Sequence, residues 1–324
     1  MVLIAVVPLA LLATALTGPW FLRRSAPALA HVPRLAALAL TASVLAWPLA
    51  LLSIGPLLAW VSTGPVLLPG RAGEVCQQCL AAANPWGQPA AVYTGVPTVI
   101  LLALPALAAA GLLAAAARRG MQRARATARS AAAVHRGARH AWVHGRSVLL
   151  IDDPAPQVFA MPARYGGIVL SRTALSVLTG EEIRAVLEHE QAHLRQRHHL
   201  LLAVVSAVGH HLRWVPSIAA ASAALPHYLE IAADDAARRR TGTAALASAL
   251  LRLSESAPAA PLAGDAAGAL HATGPHRIGH LLSPEPAHAG HWPALLAAGY
   301  LSALTLVTLA ANLPYLGALV AGCF

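Results

Sequence analysis

Lysine is missing from this chain of 324 residues, so all 23 of its basic side chains are arginines. Charge of either sign is scarce. Charged residues make up 11%, against about 25% in an ordinary soluble domain, while hydrophobic residues reach 57%. That balance excludes a typical soluble globular protein. The net charge of +10 is not a nucleic-acid signature, because aromatics are only 5% and the arginines sit beside apolar runs. No direct nucleic-acid binding is expected. Cysteine is limited to Cys76, Cys79 and Cys323, and one C-x-x-C without a second pair is not a zinc ribbon. No internal repeat is present, which excludes a solenoid.

Long apolar runs are present. Val2–Leu22, Leu35–Val61, Val96–Ala117 and Pro293–Gly322 each reach the roughly 20 residues that cross a bilayer. The first is not read as a cleaved signal, because Arg23 and Arg24 follow it and no basic residue precedes it. Arginine placement sets the orientation. Arg23, Arg24 and Arg34 follow the first run, and Arg118, Arg119, Arg123, Arg125 and Arg129 follow the third. These two loops are expected in the cytoplasm and both termini outside, in a multi-pass protein of the cell membrane. The expected organisation is a membrane domain over 1–117, with spans at about 2–22, 35–61 and 96–117. An extracytoplasmic loop over 62–95 would carry Cys76 and Cys79, read as a disulfide on the oxidising side. A cytoplasmic domain over 118–291 and a fourth span within 292–324 complete it.

Within the cytoplasmic domain, a basic helix precedes four β-like runs at Ala141–Val143, Ser147–Ile151, Gln157–Met161 and Gly167–Ser171. Asp152-Asp153-Pro154 and Tyr165-Gly166-Gly167 supply turns. Thr179-Gly180-Glu181-Glu182 opens a helix with acids in its first turn, where the helix dipole favours them. That helix carries His189-Glu190-Gln191-Ala192-His193. Two histidines at i and i+4 share a helical face and can reach one Zn²⁺, and the glutamate between them can deprotonate a water. The composition gives about 0.02 chance matches to this pattern. A third protein ligand is required if water is to take the fourth position. Glu230 is the expected ligand, with His227 as runner-up. Asp234, at i+4 from Glu230, is placed to hydrogen-bond a ligating imidazole. The competing reading is an acidic patch balanced by Arg238, Arg239 and Arg240.

Leu200–Leu225 is apolar but broken by His210-His211-Leu212-Arg213, and neither half can span a bilayer. A buried core helix, a surface helix pair and a broken span are all open, with a helix pair packed partly against the bilayer preferred.

His189–His193 followed by Glu230-Ile231-Ala232-Ala233-Asp234 resembles the E-x-x-A-D signature of gluzincin membrane proteases. These include the BlaR/MecR-type metallopeptidases and the HtpX/CAAX-prenyl-protease type. Four spans with the protease between the third and fourth are similar to the BlaR/MecR type. The implied fold is an α-helical integral membrane protein with an inserted α+β zincin-like domain. The resemblance implies a zinc endopeptidase with one Zn²⁺ per chain on His189, His193 and Glu230, Glu190 as the proton-transferring base, and Asp234 behind a ligand. A strand around Phe159 and Ala160 resembles the family's substrate-binding strand, against the alternative of an ordinary sheet strand. Tyr228, His227 and Arg277 are candidates for substrate or oxyanion contact. The implied partners are the lipid bilayer and a protein or peptide substrate. A cytoplasmic transcriptional repressor is the favoured substrate and membrane-protein quality control the alternative. No S-x-x-K or K-T-G set exists, so a β-lactam sensor role is not supported. A catalytically silent scaffold is the competing class, although every residue of the catalytic set is present. The histidines after the motif, His198, His199, His210 and His211, are read as polar surface near lipid headgroups rather than a second metal site.

Overall fold

The computed structural model describes residues 2–65, 70, 74, 78, 84, 92–255 and 292–320. Cys76, Cys79, Cys323, Arg277 and the histidines at 271–291 lie outside the described residues. Four helices among those described are long and apolar enough to cross a membrane. They are α1 (Val2–Ala30), α2 (Pro33–Leu52) continued by α3 (Ile54–Ala59), α4 (Thr98–Gly137) and α10 (Trp292–Val320). A short parallel pair, β1 (Ser62–Thr63) with β2 (Val92–Tyr93), lies between α3 and α4.

Few side chains bond these apolar helices to one another. The Trp47 indole donates to the Leu11 carbonyl at 3.3 Å, Tyr300 to Thr14 at 3.0 Å, and Asn312 to Ser53 at 2.9 Å. Apolar side chains of α1, α2, α3 and α10 pack into one core, and a close approach to a further helix adds to it. A Cβ on Gly18 would sit 2.6 Å from the Ser217 Cβ, so only glycine permits this crossing. Two of the helices outrun their apolar stretches. α1 continues through Arg23 and Arg24, and α4 continues unbroken for 40 residues.

α4 delivers the chain to a four-stranded sheet: β3 (Arg139–Val143), β4 (Arg146–Ile151), β5 (Val158–Ala160) and β6 (Ile168–Ser171), in the order β3-β4-β6-β5. β4 and β6 are parallel; the other two pairings are antiparallel. β6 is buried on both faces, and its side chains alternate with period two. Ile168 and Leu170 meet Ile183, Val186 and Leu187 of helix α6 (Gly180–Arg195), whereas Val169 joins Ala131 of α4 and Met161. The turn before β6 needs glycine. Gly166 has φ +100°, and a Cβ there would lie 2.4 Å from Leu149 Cδ1.

A short helix α5 (Arg172–Val177) leads into α6. Thr179 caps α6 with a reciprocal pair: its hydroxyl accepts from the Glu182 N–H at 3.4 Å, and its own N–H donates to Glu182 Oε2 at 2.7 Å. The Ser248 hydroxyl, from α9 (Thr243–Glu255), and Arg252 also hold Glu182. Burial pushes the Glu182 carboxyl up, but these donors outweigh it and lower its pKa. Glu188 behaves alike. Burial opposes its charge, yet Arg240 and Arg146 hold its pKa below the usual value. Arg195 is a third cation on the same carboxylate, at 3.3 Å.

α6 ends at Arg195, and the chain reverses at Arg197, which adopts φ +53°. Helix α7 (His198–Gly209) and helix α8 (Pro216–Thr241) follow. Val205, Val215, Ile218, Ala221 and Leu225 share one core with Leu11, Leu29, Val44, Trp47 and Leu304. The apolar segment 200–225 is therefore a helix pair whose side chains pack among the apolar helices of the chain itself. Arg123 on α4 donates to Ser206 on α7.

Candidate metal centre

Two helices build the site. α6 contributes His189, Glu190 and His193, and α8 contributes Glu230 and Asp234. Spacing of three or four residues keeps each set on one helical face, and the faces meet where α6 packs on α8. His189 Nε2 lies 3.0 Å from His193 Nε2 and 3.4 Å from Glu230 Oε2, and His193 Nε2 lies 3.5 Å from Glu230 Oε1. One ligand atom from each of the three residues can be chosen so that all lie within 4.8 Å of one another, close to the separation of about 3.3 Å between ligand atoms about 2.05 Å from a tetrahedral zinc. Two histidines and a glutamate are a donor set suited to zinc.

The electrostatics also call for a cation. Burial disfavours a charged His189 imidazole. Hydrogen bonds to Asp234 and Glu230, and the charges of both, overcome this and raise its pKa to about 10. Two buried carboxylates on one imidazole favour a proton or a metal between them. Asp234 Oδ1 accepts from His189 Nδ1 at 2.9 Å. With a metal on Nε2, the one remaining ring proton would sit on Nδ1, facing Asp234.

His189, Glu190, Glu230 and Asp234 are all buried; only His193 is partly open, its side chain 16% exposed. The site is therefore most open on the His193 side. β5, an edge strand of the sheet, packs against α6 through Val158. Phe159 and Ala160 on it are half-buried.

The remaining candidates fall elsewhere. Tyr228 is buried in the core shared with α1 and α2, because two residues along a helix turn a side chain by about 200° away from Glu230. His227 packs edge-on against Tyr228 at 5.6 Å. Among the described residues the ligand cluster comprises His189, His193 and Glu230.

One residue was misread from sequence. His198 is not surface near headgroups. It is buried, with its Nδ1 2.8 Å from His193 Nδ1 and its Nε2 3.2 Å from Gln196 Oε1. Burial first, then the positive charges of His189, Arg34 and His199, lower its pKa to about 4, so its ring is neutral at neutral pH. The reversal at Arg197 swings His198 back onto the site. No periodicity in the sequence signals a left-handed arginine, so neither His198 nor Gln196 could be found that way.

Residues 122–227 match the model of peptidase family M48. The matched third of the chain holds the four-stranded sheet and the His189–His193 helix, and it supports an M48-type metallopeptidase domain. No curated protein and no solved structure matches the chain.

Proposed function

We propose that this protein is a membrane-bound zinc endopeptidase. The observation that carries the reading is the buried convergence of His189, His193 and Glu230 around one point, with Asp234 behind His189 and Glu190 in the same helix. Zinc bound there supplies Lewis-acid polarisation of the scissile carbonyl and acidifies the attacking water. The Glu190 carboxylate takes the proton of that water and returns it to the leaving nitrogen as the C–N bond breaks. β5 offers its free edge to an extended substrate segment through backbone hydrogen bonds.

The depth of the site favours a substrate attached to the membrane. Gly18 touches Ser217, and Arg34, just past the end of α1, lines a pocket with Ala236, Arg239 and Arg240, so α1 and α8 run the same way. At about 1.5 Å per residue, Glu230 lies about 20 Å beyond Ser217, and Arg23 and Arg24 about 8 Å beyond Gly18. The site thus stands about 10 Å past the arginines that mark the membrane edge, on the side that arginine placement assigns to the cytoplasm. Cleavage of membrane proteins close to their spans follows. The BlaR/MecR-type layout supports a second reading, cleavage of a cytoplasmic transcriptional repressor.

The test uses the full chain in liposomes with a model protein offered both anchored by a span and as the same soluble segment. Glu190→Gln should lower cleavage by about 10³-fold or more while zinc stays bound. Retained cleavage by that variant would sink the mechanism. Faster cleavage of the soluble form would favour the second reading.

A further inference from the structure

His189 is oriented by a carboxylate, but nothing in the metallopeptidase signature assigns a partner to His193. We propose that His198 and Gln196 form a clamp that fixes the tautomer of His193 and so presents its Nε2 lone pair to the metal. The inference rests on the metal-site reading above.

Hydrogen-bond bookkeeping leads there. His193 Nδ1 and His198 Nδ1 are 2.8 Å apart, a distance at which one nitrogen carries the proton and the other the lone pair. His193 Nε2 is the atom turned toward His189 and Glu230. For that atom to be a ligand, the His193 proton must sit on Nδ1 and point at His198. His198 then accepts at Nδ1 and holds its own proton at Nε2, where Gln196 Oε1 lies 3.2 Å away. The Gln196 amide NH₂ faces the Ala232 carbonyl at 3.5 Å. A backbone carbonyl can only accept, so it sets the Gln196 amide. The amide sets His198, and His198 sets His193.

The chain of bonds also joins the two halves of the site. Gln196 and His198 lie at the end of α6 and the start of α7, whereas Ala232 is on α8 between Glu230 and Asp234. The His193 and His198 rings meet edge to face at 4.7 Å, with planes at 90°. His198 is 2% exposed, so solvent does not account for its polarity. An imidazole acceptor carries no negative charge, unlike the carboxylate behind His189, which leaves the two histidines unequal in basicity.

The experiment measures zinc affinity of the detergent-purified full chain by chelator competition, together with thermal stability. His198→Leu removes the acceptor and should weaken binding about tenfold or more. His198→Asn puts an amide oxygen where Nδ1 stood and should recover most of the loss, to within about threefold of wild type. Gln196→Leu, which frees the His198 tautomer, should fall between them. In ¹⁵N-labelled zinc-free protein, the His193 ring should carry its proton on Nδ1 in the wild type and lose that preference in His198→Leu. A folded His198→Leu with wild-type affinity overturns the inference, as does equal weakening by Leu and Asn. If His198→Leu does not fold, Gln196→Leu decides, and wild-type affinity there overturns it. A wild type that binds no zinc refutes the metal site itself, a different result from zinc bound equally by all variants.

Discussion

The apolar helices and the sheet-bearing domain of this chain are held together by opposite means. Among the apolar helices, cohesion comes from apolar side chains of α1, α2 and α10 packed into one core, a close glycine crossing of α1 on α8, and a few hydroxyl, amide and indole contacts. No Asp or Glu occurs in α1, α2, α4 or α10. In the domain, carboxylates gather the arginines: the half-buried Glu188 takes Arg146, Arg195 and Arg240, and the buried Glu182 takes Arg252. α8 belongs to both. Its first half, with Ile218, Ala221 and Leu225, is a member of the apolar bundle, and its second half carries Glu230 and Asp234. The candidate metal centre is therefore anchored in the apolar helices by one of its two helices and in the sheet by the other.

Three changes should separate the two regions. The largest effect is expected from Glu188→Ala, which strands three arginines that converge on one largely buried carboxylate. It should cost about 2–3 kcal/mol of domain stability. Hydrogen exchange should show lost protection in α6 and β4, with α2 unchanged. Equal loss in α2 would mean that the regions are not separable.

Gly18→Leu should act from the other side. A side chain at the α1–α8 crossing meets Ser217 and must push the helices apart, at about 1–3 kcal/mol. Thermal unfolding in detergent should show the loss, and exchange should rise first in α1 and the start of α8. An unchanged melting temperature would show that the crossing tolerates a side chain.

Acid gives the smallest and most selective effect. The pKa values of Glu182 and Glu188 are lowered by folding, so their contribution is complete above the ordinary carboxylate range. It is lost as pH falls through their depressed values, below the ordinary carboxylate range. The apolar helices have no such groups. In zinc-free protein, pepsin should cut the domain as pH is lowered through this range while α2 and α10 stay intact. Simultaneous cleavage of both regions would contradict the division.

Much of this division was legible in sequence, because it rests on local pattern. Four apolar runs gave four long apolar helices, and the four β-like runs lie within a residue or two of β3, β4, β5 and β6. His189–His193 and Glu230–Asp234 were visible because helical spacing alone puts each pair on a common face. Features set by tertiary contact were not legible. α1 runs past Arg23 and Arg24 because its far end packs on α8, and no apolar period extends there. Leu200–Leu225 divides its apolar residues: Val205, Ile218, Ala221 and Leu225 line a protein interior while Leu200, Val204 and Trp214 stay exposed, a division that composition does not reveal. Tyr228 stands two residues from Glu230 yet faces the bundle. His198 is reached only through the left-handed turn at Arg197.

The central claim is that α6 and α8 together hold one zinc ion. Its most direct test is elemental analysis of the purified full chain, wild type beside Glu230→Ala. The account predicts about one zinc per wild-type chain and its loss in a variant that remains folded. A folded wild type without zinc after the metal is supplied, or a Glu230→Ala variant that keeps it, would contradict the account.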